Sequence, residues 1–188
     1  MDAIAALKER LDRRSPSRVC EPDAWQAAVA VIVVPSAAGA PEMLFIKRAE
    51  RAGDPWSGQM ALPGGRKDDA DDTLLGTALR ETFEETGIVL PDTALLGELD
   101  DLFPNIKVLP SVVVRPFVFG LAERPVVTPN EEVAAHVWLG LDTLRIAGRR
   151  TEVEVRGSFR TVEAFVVGGH VIWGMTHRIL LPFLDLTA

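Results

Sequence analysis

Residues 73–88 read Thr-Leu-Leu-Gly-Thr-Ala-Leu-Arg-Glu-Thr-Phe-Glu-Glu-Thr-Gly-Ile, and this stretch predicts an amphipathic helix with an acidic face. Thr73 is a favourable N-cap residue, and Gly87 is well placed to end the helix. Helical spacing puts one set of side chains on the face expected to pack, namely Leu75, Ala78, Leu79, Thr82 and Phe83. The opposite face then carries Glu81, Glu84 and Glu85.

The three glutamates predict a metal site. Glu81 and Glu85 lie one turn apart, and such a like-charge pair destabilises an isolated helix by about 0.2–0.5 kcal/mol. Carboxylate oxygens suit a hard divalent cation such as Mg²⁺, which would offset that repulsion. Arg80 precedes Glu84 by one turn and can hold a carboxylate in a fixed orientation. The alternative is a solvated acidic helix face, which is the usual meaning of a charge run.

Length and composition indicate one globular, acidic domain. The chain has 188 residues, of which 47% are hydrophobic and 25% charged, with a formal net charge of −7. Such a charge argues against binding a nucleic acid polymer, although a bound cation can still recruit a small phosphorylated ligand. No apolar run approaches the roughly 20 residues of a membrane-spanning helix, and the N-terminus lacks the apolar segment of a secretory signal. We therefore expect a cytoplasmic protein without a membrane partner.

The order of predicted elements indicates an α+β domain. We expect an N-terminal helix and connector over residues 1–25, followed by one domain over residues 26–188. Short helices are predicted at 3–14 and 141–147, and a final helix at 172–181 with Pro182 just past its end. Strands are predicted at 27–34, 43–47, 95–99, 108–119 and 137–139, with a strand pair over 152–167.

Gly65 followed by Arg80-Glu81-Thr82-Phe83-Glu84-Glu85-Thr86-Gly87-Ile88 resembles the signature box of the Nudix hydrolases. That box ends in Arg-Glu-aliphatic-x-Glu-Glu-x-Gly-aliphatic. Here Thr82 takes the aliphatic position, and Asp71 or Asp72 replaces the isolated Glu of the preceding loop. The resemblance implies an α/β/α sandwich with a mixed central sheet.

The loop before the helix is longer than the family's standard, and this resembles the coenzyme A diphosphatase branch. The run Pro63-Gly64-Gly65-Arg66-x-Asp68-x-x-Asp71 fits that branch. Upstream, Leu44 to Arg48 followed by Ser57-Gly58-Gln59 is similar to its second motif. Asp54 and Trp56 stand where the branch usually has Arg and His, in a segment associated with recognising coenzyme A.

The resemblance implies hydrolysis of a diphosphate linkage, with coenzyme A or its thioesters as the leading substrates. The products would be 3′,5′-ADP and 4′-phosphopantetheine or its acyl form, and a basic contact to the 3′-phosphate would favour coenzyme A over its dephospho form. Mg²⁺ or Mn²⁺ would bind Glu81, Glu84 and Glu85, with Glu81 or Glu84 as the alternative general bases. Another nucleoside diphosphate derivative (NADH, ADP-ribose or a nucleoside triphosphate) remains open as substrate, as does a non-catalytic binding module.

Further site residues follow from the same resemblance. A carboxylate from a later loop often joins the site, and Glu132 is preferred over Glu131 for this role. Candidate residues for contacting substrate phosphates lie upstream of the helix: Lys47, Arg48, Gly64 and Gly65. His177, near the last predicted helix, is expected at the surface. The sequence leaves a monomer and a homodimer both open.

Overall fold

The computed structural model describes residues 3–37, 39–54, 56–104, 110–155 and 157–187. The helices are α1 (Ala3–Asp12), α2 (Leu74–Thr86), α3 (Leu141–Ile146) and α4 (Gly174–Leu186). The strands are β1 (Trp25–Val34), β2 (Glu42–Arg48), β3 (Met60–Ala61), β4 (Gly64–Arg66), β5 (Leu95–Glu98), β6 (Val112–Gly120), β7 (Val133–Gly140), β8 (Gly148–Val155), β9 (Ser158–Val167) and β10 (His170–Trp173).

Strand β1 organises the main sheet, which is mixed. It runs parallel to β6 along its whole length, from Trp25 opposite Val112 to Val33 opposite Gly120. Its other edge is shared by two antiparallel strands, because β2 pairs with it near Val34 and β4 pairs with it from Ala27 to Val29. This sharing separates β2 from β4 and leaves room for a cavity between them.

Both faces of β1 are largely buried from Ala27 to Val34, which explains the unbroken apolar sequence of that segment. Alternate residues point to opposite faces of a strand. Ala27, Val31 and Val33 join the larger core with residues of α1, α3 and α4, whereas Ala28 and Ile32 join a second core that includes residues of α2. The predicted mixed sheet between helical layers is therefore confirmed.

The ends of α2 are as predicted, and its packed face is as predicted except at Phe83. Thr73 Oγ1 accepts a hydrogen bond from Gly76 N, and Gly87 closes the helix with a left-handed φ of 70°. Phe83, predicted to pack, is 54% exposed. Ala78 and Thr82 are buried as predicted, and Leu75 and Leu79 pack partly buried against the second core. Thr77, Glu85 and Thr86 are buried as well. Most of these side chains are small, so the helix can approach β1 and β4 closely enough to bring Glu85 into the interior.

The C-terminal prediction was wrong in two respects. Ile172 lies in β10 opposite Phe165, and the helix begins only at Gly174. Pro182 lies inside α4 rather than beyond it. Proline weakens a helix by removing a hydrogen-bond donor, but the next residue, Phe183, is fully buried in the larger core, and that burial favours continuing the helix.

The remaining predicted strands are found, with some boundaries shifted. The segment predicted as a short strand around Val137 forms the full-length β7, which pairs antiparallel with β2. The strand pair β8–β9 begins earlier than predicted, at Gly148. The predicted strand at 108–119 corresponds to β6, and its first two residues lie outside the described residues. Within the described ranges, no helix combines the length and apolarity needed to cross a lipid bilayer.

The close contact of β4 with β1 generates a stability prediction. A Cβ atom on Gly64 would lie 2.3 Å from the Ala28 carbonyl oxygen, and Gly64 has a φ of +144°. We expect G64A to lower the free energy of unfolding by at least about 2–3 kcal/mol. Urea unfolding measures this change.

The matched control is G76A, because Gly76 lies in α2 and its added Cβ would meet only Thr73 Oγ1, at 3.5 Å. Alanine favours helix over glycine, so G76A should raise stability by about 0.5–1 kcal/mol. An unchanged urea midpoint for G64A would contradict the proposed close packing.

Candidate active site

Arg80 is the centre of an ion-pair cluster on α2. Its Nη1 atom donates to Glu81 Oε1 at 2.9 Å and to Glu84 Oε2 at 3.0 Å. Its Nη2 atom also donates to the backbone oxygen of Arg66 at 3.2 Å. One guanidinium thus fixes two of the three predicted carboxylates and ties the helix to strand β4.

Asp71 anchors Arg80 from the preceding loop. Its two carboxylate oxygens accept from Arg80 Nε and Nη2 at 2.9 and 2.8 Å, a bidentate arrangement. The Asp71 carboxylate also accepts from Thr77 Oγ1 and from the backbone N–H of Asp68. The hydrogen bonds from Arg80 hold the pKa of Asp71 well below its ordinary value. Of the two loop acids considered from the sequence, Asp71 is therefore the one that supports the helix.

Glu85 is the buried member of the acidic trio, with only 2% of its surface exposed. Its Oε2 atom accepts from the backbone N–H of Gly64 at 2.9 Å. Burial raises the pKa of Glu85 to about 7, although the Gly64 hydrogen bond and the charge of Arg48 oppose that rise. A buried carboxylate with this pKa favours a proton or a cation at its free oxygen.

Glu81 lies against the other glycine of β4. A Cβ atom on Gly65 would lie 2.5 Å from the Glu81 carboxyl carbon, so any larger residue would displace the carboxylate. Burial raises the pKa of Glu81, and the hydrogen bond from Arg80 opposes the change. The Gly64-Gly65 pair therefore lets two carboxylates of α2 approach the strand backbone.

The donor set of this cluster fits a divalent cation. Glu81, Glu84 and Glu85 offer only carboxylate oxygens, which Mg²⁺ and Mn²⁺ accept. Among the residues that the structure describes, no three acidic, histidine or cysteine side chains already stand at metal-binding geometry. Arg80 holds Glu81 and Glu84 in ion pairs, so a cation would compete with this guanidinium for their oxygens.

A cavity of about 360 Å³ opens beside these carboxylates. Its acidic wall includes Glu81, Glu85 and Glu132. The lining also includes apolar side chains of the sheet and α4, namely Trp25, Val112, Val114, Met175 and Ile179. The cavity therefore joins charged groups that suit a metal-bound phosphate to a surface that suits an apolar or aromatic part of a ligand.

The two basic residues of β2 that were predicted to bind substrate, Lys47 and Arg48, line different clefts. Arg48 lines the cavity and donates to Asp54 Oδ2 at 2.9 Å. Lys47 lines a different cleft, with Trp173 among its neighbours, and so does not meet the expectation that it contacts substrate beside Arg48. The physical reason is strand alternation, because successive side chains of β2 point to opposite faces of the sheet.

Glu132 lies at the cavity, but it is paired. Its Oε1 atom accepts from Arg51 Nη1 at 2.9 Å, and its backbone oxygen accepts from Ala49 N at 2.8 Å. Glu131, the alternative, has a side chain that is 91% exposed and does not line this cavity. The structure thus places Glu132 in the lining of the same cavity as Glu81 and Glu85, a lining that does not include Glu84.

Three further positions differ from or extend the sequence predictions. His177 is buried rather than at the surface; its ring centroid lies 4.7 Å from that of Phe165, and burial lowers its pKa. Trp25 and Arg66 line the cavity but were not predicted as site residues. The sequence offered one indication for Arg66, because it directly follows the glycine pair, whose residues were predicted to contact substrate.

A model of the NUDIX domain matches residues 24–160 of the chain. The chain belongs to the Nudix family. This confirms the predicted fold and enzyme class, a Nudix diphosphatase. The match includes the glycine pair of β4 and the acidic face of α2, so the residues of the ion-pair cluster lie within the Nudix domain.

Relatives of this Nudix domain include proteins with and without a named activity. An uncharacterised protein of Schizosaccharomyces pombe is 32% identical over 82% of this chain, and the chain spans 45% of that protein. The human mitochondrial coenzyme A diphosphatase NUDT8 is 31% identical over 86% of this chain and 70% of its own length. Among solved structures, a MutT/nudix family protein from Enterococcus faecalis shares the fold with a TM-score of 0.61 and 18% identity, over 98% of this chain and 72% of its own.

The burial of Glu85 predicts an unusual pH dependence of stability without a divalent metal. The pKa of Glu85 keeps its proton bound in the folded protein up to about pH 7, whereas the unfolded chain releases it near the ordinary pKa of 4.5. The native state therefore binds more protons in this window, and stability from this group falls as pH rises from about 4.5 to 7.

E85Q removes that titration. At pH 8 in EDTA, we expect E85Q to exceed the wild-type protein in stability by on the order of 2–3 kcal/mol, with a smaller difference at pH 5. Urea unfolding at both pH values measures the difference. An E85Q protein less stable than wild type at pH 8 would show that the buried carboxylate is not the destabilising group.

Proposed function

We propose that the protein hydrolyses the diphosphate linkage of coenzyme A or its thioesters in a metal-dependent reaction. The products would be 3′,5′-ADP and 4′-phosphopantetheine or acyl-4′-phosphopantetheine. The observation that carries the proposal is one cavity whose lining combines the carboxylates of Glu81, Glu85 and Glu132 with apolar side chains of the sheet and α4. The carboxylates suit a metal-bound diphosphate, and the apolar side chains suit the organic arms of the substrate.

Glu81, Glu84 and Glu85 would hold Mg²⁺ or Mn²⁺, the ions that Nudix hydrolases generally need. Such a cation, when bound, neutralises the diphosphate and lowers the pKa of a bound water. Arg80 would orient Glu81 and Glu84 through its Nη1 atom, as it does in the structure. Arg48 would contact a substrate phosphate, and the backbone of Gly64 and Gly65 would let the ligand approach α2 closely.

The attacking water must lose a proton, and a carboxylate oxygen of α2 would accept it. Glu81 and Glu84 are the two candidates. Glu81 is more enclosed than Glu84, with side-chain exposures of 18% and 50%. Glu132 would contribute a further carboxylate from the loop before β7. Glu85, which Gly64 fixes from the backbone, is better suited to holding a cation than to moving toward a water.

The substrate assignment rests on the kinship with the human coenzyme A diphosphatase and on the motifs shared with that branch. The alternatives are other nucleoside diphosphate derivatives, such as NADH, ADP-ribose or a nucleoside triphosphate. A non-catalytic role is disfavoured, because the cluster gathers glutamates at an electrostatic cost that a pure binding fold would not need. A cytoplasmic location and a homodimer stay predictions.

Loss of a helix glutamate should abolish most turnover without unfolding the protein. We expect E84Q and E85Q each to lower kcat at least about 10²-fold with saturating Mg²⁺. E163Q is the matched control, because Glu163 is an exposed partner of Arg150 on β9, away from the cavity. Near-normal turnover in E85Q would remove α2 from the reaction.

EDTA should abolish activity reversibly, and added Mg²⁺ or Mn²⁺ should restore it. The same ions should raise the melting temperature of the wild-type protein more than that of E85Q, since binding to the native state stabilises it. Thermal unfolding at increasing metal concentration measures this. Full activity after exhaustive chelation would contradict the metal-dependent mechanism.

The substrate is tested by kcat/KM for coenzyme A, dephospho-coenzyme A, NADH and ADP-ribose, with the products identified. We expect coenzyme A to be preferred and to yield 3′,5′-ADP. Turnover of NADH or ADP-ribose that equals or exceeds that of coenzyme A would overturn the substrate assignment. The Nudix diphosphatase class would stand in that case.

A further inference from the structure

A guanidinium lies over an indole ring in the lining of the cavity. The Cζ atom of Arg66 lies 4.0 Å from the ring centroid of Trp25. The sheet register produces this contact, because Arg66 on β4 pairs with Ala27 on β1, two residues from Trp25 on the same face. Both side chains line the cavity, and Trp25 is 43% exposed.

Arg66 differs from the other arginines around the cavity in having no acidic partner. Arg48 pairs with Asp54, and Arg51 pairs with Glu132. Arg80 pairs with three carboxylates. For Arg66, no carboxylate lies within ion-pair distance in the part of the chain that the structure describes. Its N–H groups are therefore available to an anionic ligand.

The contact with Trp25 prepares Arg66 for such a ligand. A guanidinium held against an aromatic ring has already lost part of its side-chain freedom, so less is lost when an anion binds its N–H groups. The backbone of Arg66 is also restrained, because its carbonyl oxygen accepts from Arg80 Nη2. The pair thus forms a rigid receptor that suits the planar recognition of a phosphate.

The Arg66–Trp25 pair lies close enough to the α2 glutamates for one nucleotide to reach both. Gly64 donates a hydrogen bond to Glu85 and lies two residues before Arg66 in β4. Two residues of a strand span about 7 Å, so Arg66 lies about that far along the strand from the Glu85 contact. A substrate whose diphosphate lies against the α2 glutamates can therefore extend its ribose toward Arg66. A phosphate on that ribose would meet the free guanidinium edge.

We propose that Arg66 binds a phosphate monoester on the substrate's ribose and that Trp25 is its positioning residue. The ligand class is a nucleoside diphosphate derivative with an additional ribose phosphate. This inference rests on the proposed function, in which coenzyme A supplies such a group as its adenosine 3′-phosphate. It identifies the residue that distinguishes coenzyme A from its dephospho form.

Ligand binding tests the inference without turnover. Calorimetry would compare 3′,5′-ADP with 5′-AMP in the presence of Mg²⁺. The wild-type protein should bind 3′,5′-ADP at least about tenfold more tightly. R66A should remove this preference and leave 5′-AMP affinity unchanged. The matched control is R124A, because Arg124 also makes a cation–π contact, with its Cζ atom 5.8 Å from the ring centroid of Trp138, but pairs with Glu42 and lies outside the cavity.

Other outcomes overturn the inference. Equal wild-type affinity for the two nucleotides, or no binding of 3′,5′-ADP, would show that no such phosphate receptor exists. An equal loss of both affinities in R66A would indicate that a nucleobase stacks on the guanidinium. The positioning role of Trp25 is tested separately, with W25F expected to retain the preference and W25A to lose most of it. A W25A protein that keeps the full preference would overturn that role.

Kinetics distinguish this inference from the proposed function. The ratio of kcat/KM for coenzyme A to that for dephospho-coenzyme A should fall about tenfold in R66A, with little change for the dephospho substrate. Hydrolysis of both substrates at equal efficiency by the wild-type protein would overturn the role of Arg66 alone. Absence of coenzyme A hydrolysis with an Arg66-dependent preference for 3′,5′-ADP would overturn the proposed function alone.

Discussion

The acidic face of α2 depends on the guanidinium of Arg80. Four acidic side chains gather within a short stretch of loop and helix, and Arg80 contacts three of them: Asp71, Glu81 and Glu84. The planar group satisfies Asp71 with two parallel hydrogen bonds and still reaches the helix glutamates. A lysine has a single ammonium group and could not reproduce this fork. Arg80 thereby offsets repulsion that the helix alone would not tolerate.

The fourth carboxylate, Glu85, is stabilised differently. Arg80 does not contact it, and its support is one backbone N–H from Gly64 together with the charge of Arg48. This support is incomplete, which is why burial still raises its pKa to about 7. The cluster is thus organised by Arg80 but left short of positive charge at Glu85. A bound cation would supply the missing positive charge. Without one, the buried carboxylate of Glu85 lowers the stability of the fold.

Much of this site was predictable because its chemistry is local. The helix cap at Thr73, the terminating glycine and the helix glutamates follow from spacing within one element. The packed face of α2 followed only in part, because the buried Thr77 and Thr86 read as polar, yet small threonines let a helix approach a sheet. Thr82, which was predicted to pack, shows how a threonine does so. It is fully buried and its hydroxyl has no hydrogen-bond partner among the described residues, so it packs as valine would at the family's aliphatic position.

Features that depend on tertiary contacts were missed. Lys47 and Arg48 are neighbours in sequence, but strand alternation sends them to different clefts. Pro182 predicted the end of the last helix, but α4 continues beyond it because Phe183 is buried. The Arg66–Trp25 contact joins residues from two strands and requires the β1–β4 register, which no local pattern specifies.

The segment that departs from the coenzyme A diphosphatase pattern is structurally coherent. Asp54 accepts from Arg48 and also from the backbone N–H of Trp56 at 2.9 Å, so one carboxylate links the turn to β2. Arg48 is consequently oriented but partly neutralised, and its Nε atom is buried without a hydrogen-bond partner among the described residues. The basic group best placed to meet a second phosphate therefore lies across the cavity. In this chain, the strand that carries the glycine pair supplies it as Arg66, the cavity arginine whose charge is not committed to a carboxylate.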